Sequence, residues 1–328
     1  MIRITDVTLC TLNYKATSVQ KISELYGLLL QTGINYIEID VPLFELIENV
    51  VEKAKTVLRV QYSDEIDSFP GFAGYISRFG SLETFHYSIS EIQVNDIREL
   101  NQTTKYTNIK NVRIIGLDDL LIHDYVNTFD KIKGIFSGRL EFCPQNRYFC
   151  ATALATEWIL NDGENVVTSF SGAGGFAALE ELLMILRIAK RHKPNMNLAV
   201  FRKIKELYEE LTGYQIAGNK AIIGDHIFDV ESGIHVDGIL KKGSNYEPFE
   251  PSVVGMSRNI VIGKHSGKSA VEMKLKEYGM SPEAEKIPLL LSRIRQESIC
   301  LGRGLNDKEF VAIANDSLEP KGVDICEG

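Results

Sequence analysis

The 328-residue chain is poor in cysteine, in positive charge and in long apolar runs. Its five cysteines (Cys10, Cys143, Cys150, Cys300 and Cys326) are scattered, odd in number and form no C-x-x-C pair. That pattern argues against a disulfide framework and for a reduced, cytoplasmic protein. The net charge of −8 and the pI near 5.4 argue against general binding to nucleic acid or to an anionic membrane. The longest apolar runs, such as Leu28-Leu29-Leu30, are far too short to cross a bilayer. The opening MIRITDVTLC lacks the charged-then-apolar pattern of a secretion signal. No glycine-rich nucleotide fingerprint follows the first expected strand.

What remains is an ordinary globular composition, 44% hydrophobic and 24% charged, long enough for one large domain and a small one. Short β-forming runs alternate with amphipathic stretches through the first half. Strands are predicted at Ile2–Leu9, Tyr36–Ile39, Val57–Val60, Phe85–Ser90, Val112–Ile115, Leu140–Cys143 and Val166–Phe170. Helices are predicted from Ser18 to Gln31, Pro42 to Lys55, Asp119 to Lys133, Ala151 to Leu160 and Gly175 to Lys190. Seven or eight βα units over roughly 200 residues fit a (β/α) barrel better than an open sheet.

The second half contains Gly224–Ala270, which holds three of the six histidines (His226, His235, His265) among glycines and polar residues. Such a loop-rich stretch between ordinary helices reads as a site. His226, His86, His123 and His192 read as surface or turn residues.

Three blocks together resemble the acyl-CoA-dependent synthases that make isopropylmalate, citramalate and homocitrate. They are Thr168–Met184 (TSFSGAGGFAALEELLM), Val230–Lys241 (VESGIHVDGILK) and Asn245–Val271 (NYEPFEPSVVGMSRNIVIGKHSGKSAV). YEPF and IGKHSG are most similar to the nitrogen-fixation type of homocitrate synthase. The resemblance implies a (β/α)8-like TIM barrel over residues 1–215, shortened or degenerate, followed by small α-helical subdomains over 216–328. It also implies acetyl-CoA as co-substrate and 2-oxoglutarate as acceptor.

The same resemblance exposes departures. Where the family's first strand has a DTTLRDGEQ-like motif, this chain reads Asp6-Val7-Thr8-Leu9-Cys10-Thr11-Leu12. Cys10 stands in place of the arginine and Thr11 in place of a metal-binding aspartate. Neither residue supplies the missing cationic fork or hard oxygen ligand. The family's His-x-His pair is matched by Cys143 and Gln145, with Arg147 close by. Three lost ligands remove a metal site. The Ser171–Phe176 loop lacks the family's Glu-Arg pair, and the span from Gly116 to Leu140 reads as one βα unit short. Glu38 matches an acidic residue of the second strand, a substrate contact or equally a structural one.

In the family, a histidine of an SGxHxD-like motif and a tyrosine shortly after it act on the neighbouring subunit's reactants. Here these are His235 and Tyr246. A near-neutral imidazole suits removal of a thioester methyl proton, and a phenol can donate to a developing oxyanion. The resemblance casts Lys264 and His265 as cofactor contacts, although His265 can also serve the turn at Gly263. The chain is therefore expected to be a subunit inactive alone. It would pair with an alpha-type catalytic subunit that carries the divalent metal, and self-association is compatible with this. The alternatives are a regulatory or structural pseudoenzyme paired with a synthase, and a homomeric acyltransferase of the same family. No nucleic-acid or membrane partner and no metal in this chain are expected.

Overall fold

A computed structural model describes residues 2–14, 18–79, 88–100, 110–136, 138–190, 196–231, 238, 242–281 and 283–318. The chain divides into two compact units, Met1–Ile223 and Gly224–Gly328, where the sequence suggested a boundary after residue 215.

The first unit is a closed barrel of eight parallel strands. They are β1 (Arg3–Asp6), β2 (Tyr36–Asp40), β3 (Thr56–Tyr62), β4 (Gly74–Phe79), β5 (Ser88–Val94), β6 (Asn111–Gly116), β7 (Arg139–Cys143) and β8 (Asn165–Ser169). Each pairs with the next, and β8 returns to β1 in the register Arg3↔Asn165 to Asp6↔Thr168. A two-residue β9 (Ala177–Ala178) pairs with the end of β8.

The ring is complete, so the expected shortening is not a missing strand. β6 pairs directly with β7, and the span from Gly116 to Leu140 lacks no strand. The sequence reading missed β4 and placed a strand at Phe85–Ser90. Residues 80–87 lie outside the described set, and β5 runs from Ser88. What is reduced is the outer layer. β3 reaches β4 through a six-residue 3-10 helix, Ser63–Ser68, in place of an α-helix.

The helices that cover the barrel are α1 (Val19–Gln31), α2 (Val41–Ile47), α3 (Tyr125–Ile135), α4 (Ala151–Leu160), α5 (Leu179–Ala189) and α6 (Phe201–Thr212). α1 buries Ile22, Leu25, Tyr26 and Leu29 along one face. α2 stops far short of Lys55. The helix gives way at Ile47 to two 3-10 turns, Glu48–Val50 and Lys53–Lys55; between them the amide of Glu52 donates to Tyr26 Oη at 2.9 Å, and its carbonyl accepts from the Lys55 amide at 2.8 Å and from Thr56 Oγ1 at 3.0 Å. α5 begins at Leu179, not Gly175. Ser171, Gly172, Gly174 and Gly175 have positive φ, which breaks the helix before it starts. Phe129, Phe142 and Trp158 knit α3, β7 and α4 together at centroid distances of 5.2–5.7 Å.

The barrel interior is charged at mid-height. Glu91, Arg113 and Glu141 are register neighbours on β5, β6 and β7. Arg113 is fully buried and donates to Glu38 (2.6 Å), Glu141 (2.7 Å) and Glu91 (3.3 Å). Arg59 spans Glu38 and both oxygens of Glu91 at 2.7 Å. Arg139 and Thr5 hold the other oxygen of Glu141, each at 2.8 Å. Three glutamates thus meet three arginines. An apolar layer of Val57, Ile76 and Ile89 lies below them, and Val7, Cys143 and Val167 form another.

The second unit packs α7 (Lys268–Glu277), α8 (Ile287–Leu301) and α9 (Asp307–Leu318) around Val271, Leu275, Leu290, Ile294 and Phe310. A two-stranded parallel ribbon, β10 (Asp229–Val230) with β11 (Asn259–Ile260), completes it. No described helix is long and apolar enough to cross a membrane.

Arg113 is the point at which the barrel is most exposed to mutation. Replacing it with methionine removes a cation from the buried carboxylates of Glu38 and Glu141 and from the partly exposed Glu91, and loss of one partner of a buried pair costs about 3–5 kcal/mol. Urea unfolding of Arg113→Met should show that loss; a change under about 1 kcal/mol would refute the network's structural role.

Candidate functional site

The C-terminal mouth of the barrel is where a (β/α) barrel carries its chemistry. The turn after β1, Thr8–Thr11, sits under the loop after β8, Phe170–Gly175. The amide of Phe170 donates to Thr8 Oγ1 at 2.7 Å, and a Cβ on Gly174 would lie 2.8 Å from Thr11 Cγ2. Thr11 turns its own hydroxyl to the Thr8 carbonyl at 2.6 Å. Cys10 gives its thiol to the Glu38 carbonyl at 3.1 Å. Cys143 is buried among Val7, Val167, Ile115 and Phe176. Burial pushes its thiol far up, away from the thiolate a metal requires. Gln145 is half-buried beside Asp118, to which its backbone amide is bonded. Arg147 is exposed and stacks on Tyr148. These side chains do not fit a divalent metal, and no step is routed through one in this chain. Among the described residues no group of three or more His, Cys, Asp or Glu is arranged to hold an ion.

Glu38 is 1% exposed, and both its oxygens are engaged by Arg59 and Arg113. Burial alone would raise the Glu141 and Glu91 carboxyls. The guanidiniums of Arg113 and Arg139 overcome that for Glu141, and Arg59 and Arg113 do so for Glu91, holding both below their ordinary range. These arginines hold Glu91 and Glu141 toward the ionised form, while Arg113 Nη2 and Arg139 Nε have no hydrogen-bond partner among the described residues. Beside it, a depression of about 430 Å³ is lined by Asp40, Val41, Pro42, Arg59, Val60, Gln61 and Glu65. Tyr14 donates to Asp40 at its rim, and burial with that carboxylate pushes the phenol up to about 12.

A second pair of acids lies at the end of β1 and in the first turn of α5. Asp6 and Glu180 are fully buried. Asp6 Oδ1 accepts from the Thr8 amide at 3.0 Å, and Glu180 Oε2 accepts from the Ser171 amide at 2.8 Å. Each acid therefore pins one of the two mouth loops. Among the described residues Asp6 Oδ2 and Thr168 Oγ1 have no hydrogen-bond partner, and Glu180 Oε1 faces the Lys220 ammonium at 3.4 Å. Burial pushes Asp6 to about 7, with Glu180 adding to the rise. Burial also pushes Glu180 to about 7, against the attraction of Lys220 3.4 Å away.

In the second unit His235 lies outside the described residues. Tyr246 is described, 47% exposed, at the end of a 3-10 turn Gly243–Asn245. Its ring rests on Gly238, three residues beyond His235. A Cβ there would fall 2.3 Å from Tyr246 Cζ, which only glycine avoids. Tyr246 lines a cavity of about 480 Å³ with Ile227, Phe228, Asp229, Val230, Glu231, Asn245, Glu247 and Pro248.

Lys264 and His265 sit on a turn fastened from below. The Lys264 amide donates to Ser298 Oγ at 3.1 Å and the His265 amide to Glu231 Oε1 at 3.1 Å. A Cβ on Gly263 would lie 2.5 Å from that carboxylate oxygen, so a larger residue there would displace the Glu231 side chain from the His265 amide. Both side chains are exposed. Lys264 borders a smaller hollow of about 240 Å³ with Arg303 and Ser298.

Sequence reasoning missed Arg59, Glu91, Arg113 and Glu141, and also Asp6, Glu180 and Arg258. A signal was present for the first four. Each is a lone charge inside a β-forming run (VLRV, ISEI, NVRI, LEFC), and the signs balance with Glu38 and Arg139.

The eight-stranded barrel is shared with HMG-CoA lyases. The structure from Bacillus subtilis superposes with a TM-score of 0.50 at 13% identity, covering 66% of this chain and 95% of that one. That from Pseudomonas aeruginosa gives 0.50 at 13%, covering 65% and 94%. At such identity the likeness is one of fold. Residues 222–298 match the family described as homocitrate synthase post-HMGL domain-like. A lyase-type barrel followed by this domain defines the class. The chain belongs to the isopropylmalate/homocitrate synthase family of transferases. It is 34% identical over 231 residues to the homocitrate synthase omega subunit of Clostridium pasteurianum, covering 69% of this chain and 65% of that protein. It is 34% identical over 252 residues to 2-isopropylmalate synthase 2 of Caldanaerobacter subterraneus subsp. tengcongensis, covering 74% and 65%. The chain thus spans about two thirds of the length of these curated relatives.

The buried acids set the pH response. Their folded pKa values lie above the unfolded ones, so the folded state holds protons that the unfolded state releases. Stability should fall as pH rises from about 4 through 7 and then level, by up to about 1.4 kcal/mol per pH unit for a single such group. Thermal unfolding of Asp6→Asn and Glu180→Gln between pH 5 and 8 should show a flatter profile than the parent. An unchanged slope in both would refute the assignment.

Proposed function

We propose that this chain is a subunit of a homocitrate synthase, condensing acetyl-CoA with 2-oxoglutarate as part of a heteromer. It donates His235 and Tyr246 in trans to a partner's metal-containing barrel. The observation that carries this reading is the occupied interior of its own barrel. Arg59 and Arg113 are consumed by Glu38, Glu91 and Glu141, and the mouth positions are Cys10, Thr11, Cys143 and Gln145. The arginine partner on each Glu38 oxygen supports a structural place in the ion network over a substrate contact. The name omega subunit, printed for a relative at 34% identity, supports a split enzyme with a partner.

In this reading His235 removes a methyl proton from acetyl-CoA. The enolate carbon attacks the keto carbon of 2-oxoglutarate, and Tyr246 donates to the oxygen that becomes the alkoxide. Hydrolysis of the thioester then releases CoA. The metal, when bound in the partner, polarises the keto group. Lys264 and His265 offer exposed cationic and hydrogen-bonding groups for the CoA phosphates.

The test is to purify the chain alone and with candidate partners carrying the first-strand Arg-Asp and His-x-His motifs. CoA release dependent on 2-oxoglutarate should appear only in the complex. His235→Ala should lower its kcat by about 10²-fold or more, the usual contribution of a general base. An assembled complex indifferent to His235→Ala would sink the trans-donor reading and leave a non-catalytic subunit.

A further inference from the structure

The loop that carries Tyr246 is fixed from one direction by charge. Arg258 Nε donates to Glu247 Oε1 at 2.9 Å and to Oε2 at 3.1 Å, and its Nη2 donates to Glu247 Oε2 at 2.6 Å. The same Nη2 reaches Glu250 Oε2 at 2.5 Å. The two carboxylates flank Pro248 and Phe249, so a single guanidinium grips the loop on both sides of its bend. Arg258 immediately precedes β11, whose partner β10 forms one wall of the Tyr246 cavity. Phe249 meets Phe228 edge-on at 5.8 Å, and the amides of Tyr246 and Glu247 both donate to the Gly243 carbonyl at 2.9 and 3.0 Å.

This arrangement is a poor investment in stability. The Arg258 side chain is 34% exposed and that of Glu250 57%, and exposed ion pairs contribute little. It is a good device for fixing geometry, because a planar fork held by two carboxylates has one orientation. We propose that Arg258 is a positioning residue: through Glu247 and Glu250 it holds the Tyr246 phenol at the mouth of its cavity, against the Gly238 backbone. This rests on the catalytic reading of Tyr246.

Two measurements decide it. Hydrogen exchange on the full chain should find the Tyr246 and Glu247 amides exchanging at least 10-fold faster in Arg258→Ala, with α7–α9 unchanged. No acceleration would overturn the clamp. In the assembled complex, Arg258→Ala should lower kcat about 10-fold with KM nearly constant, as expected for a misplaced catalytic group. Arg258→Lys should recover little, since it lacks the fork. In a Tyr246→Phe background the effect of Arg258→Ala should vanish. If Tyr246→Phe alone leaves kcat unchanged, the catalytic reading of Tyr246 fails. If Tyr246→Phe lowers kcat but Arg258→Ala costs nothing, or the same factor in both backgrounds, the positioning role fails and the catalytic reading stands.

Discussion

The interaction on which the barrel depends is the bond between Arg113 and its three glutamates. Taking a guanidinium and three carboxylates out of water costs several kcal/mol per ion, and only close, complete pairing repays it. Here the pairing is close: Glu38 and Glu141 each meet Arg113 within 2.7 Å, and Arg59, Arg139 and Thr5 take their remaining oxygens. Because each strand from β1 to β3 and from β5 to β7 contributes a member, the network fixes the mutual register of most of the ring. It also gives each oxygen of Glu38 an arginine partner in the buried interior.

Charge is used differently in the two units. In the barrel it is buried and mutually neutralising. In the C-terminal unit it lies at the surface, where Arg258 joins Glu247 and Glu250 on one loop and Arg303 joins Glu309 on another. Buried pairs decide whether a ring closes in one register. Exposed pairs contribute little free energy and serve mainly to choose one conformation among several of similar energy. The Tyr246 loop, with glycine beneath the ring and a guanidinium beside it, is an instance of the second use.

The alternation of short strands and helices was legible because each unit writes its own period into the sequence. Seven of the eight barrel strands were marked, and α1 and α4 fell close to their expected bounds. The failures have physical causes. β4, GYISRF, follows a Pro-Gly turn with only a 3-10 helix and no α-helix before it, so the alternation that marks other strands is absent there. The helix expected from Pro42 to Lys55 ends at Ile47 and breaks into two 3-10 turns, and the Glu52 amide between them donates to Tyr26 Oη, a bond across 26 residues that no local pattern records. At the site, the resemblance located Tyr246 but not its clamp. Arg258 becomes significant only when β10 and β11 pair and bring residue 258 beside residues 247 and 250.

Two of the mouth substitutions make physical sense together with the interior. An arginine at Cys10 would stand next to Glu38, whose backbone carbonyl the thiol now meets at 3.1 Å. It would compete with Arg59 and Arg113 for a carboxylate already saturated. Likewise a histidine at Cys143 would insert a polar ring into the apolar layer of Val7, Val167 and Phe176. The interior charges and the mouth residues are therefore mutually compatible: the arginines are matched by glutamates within the barrel, and the raised thiols of Cys10 and Cys143 add no charge beside them.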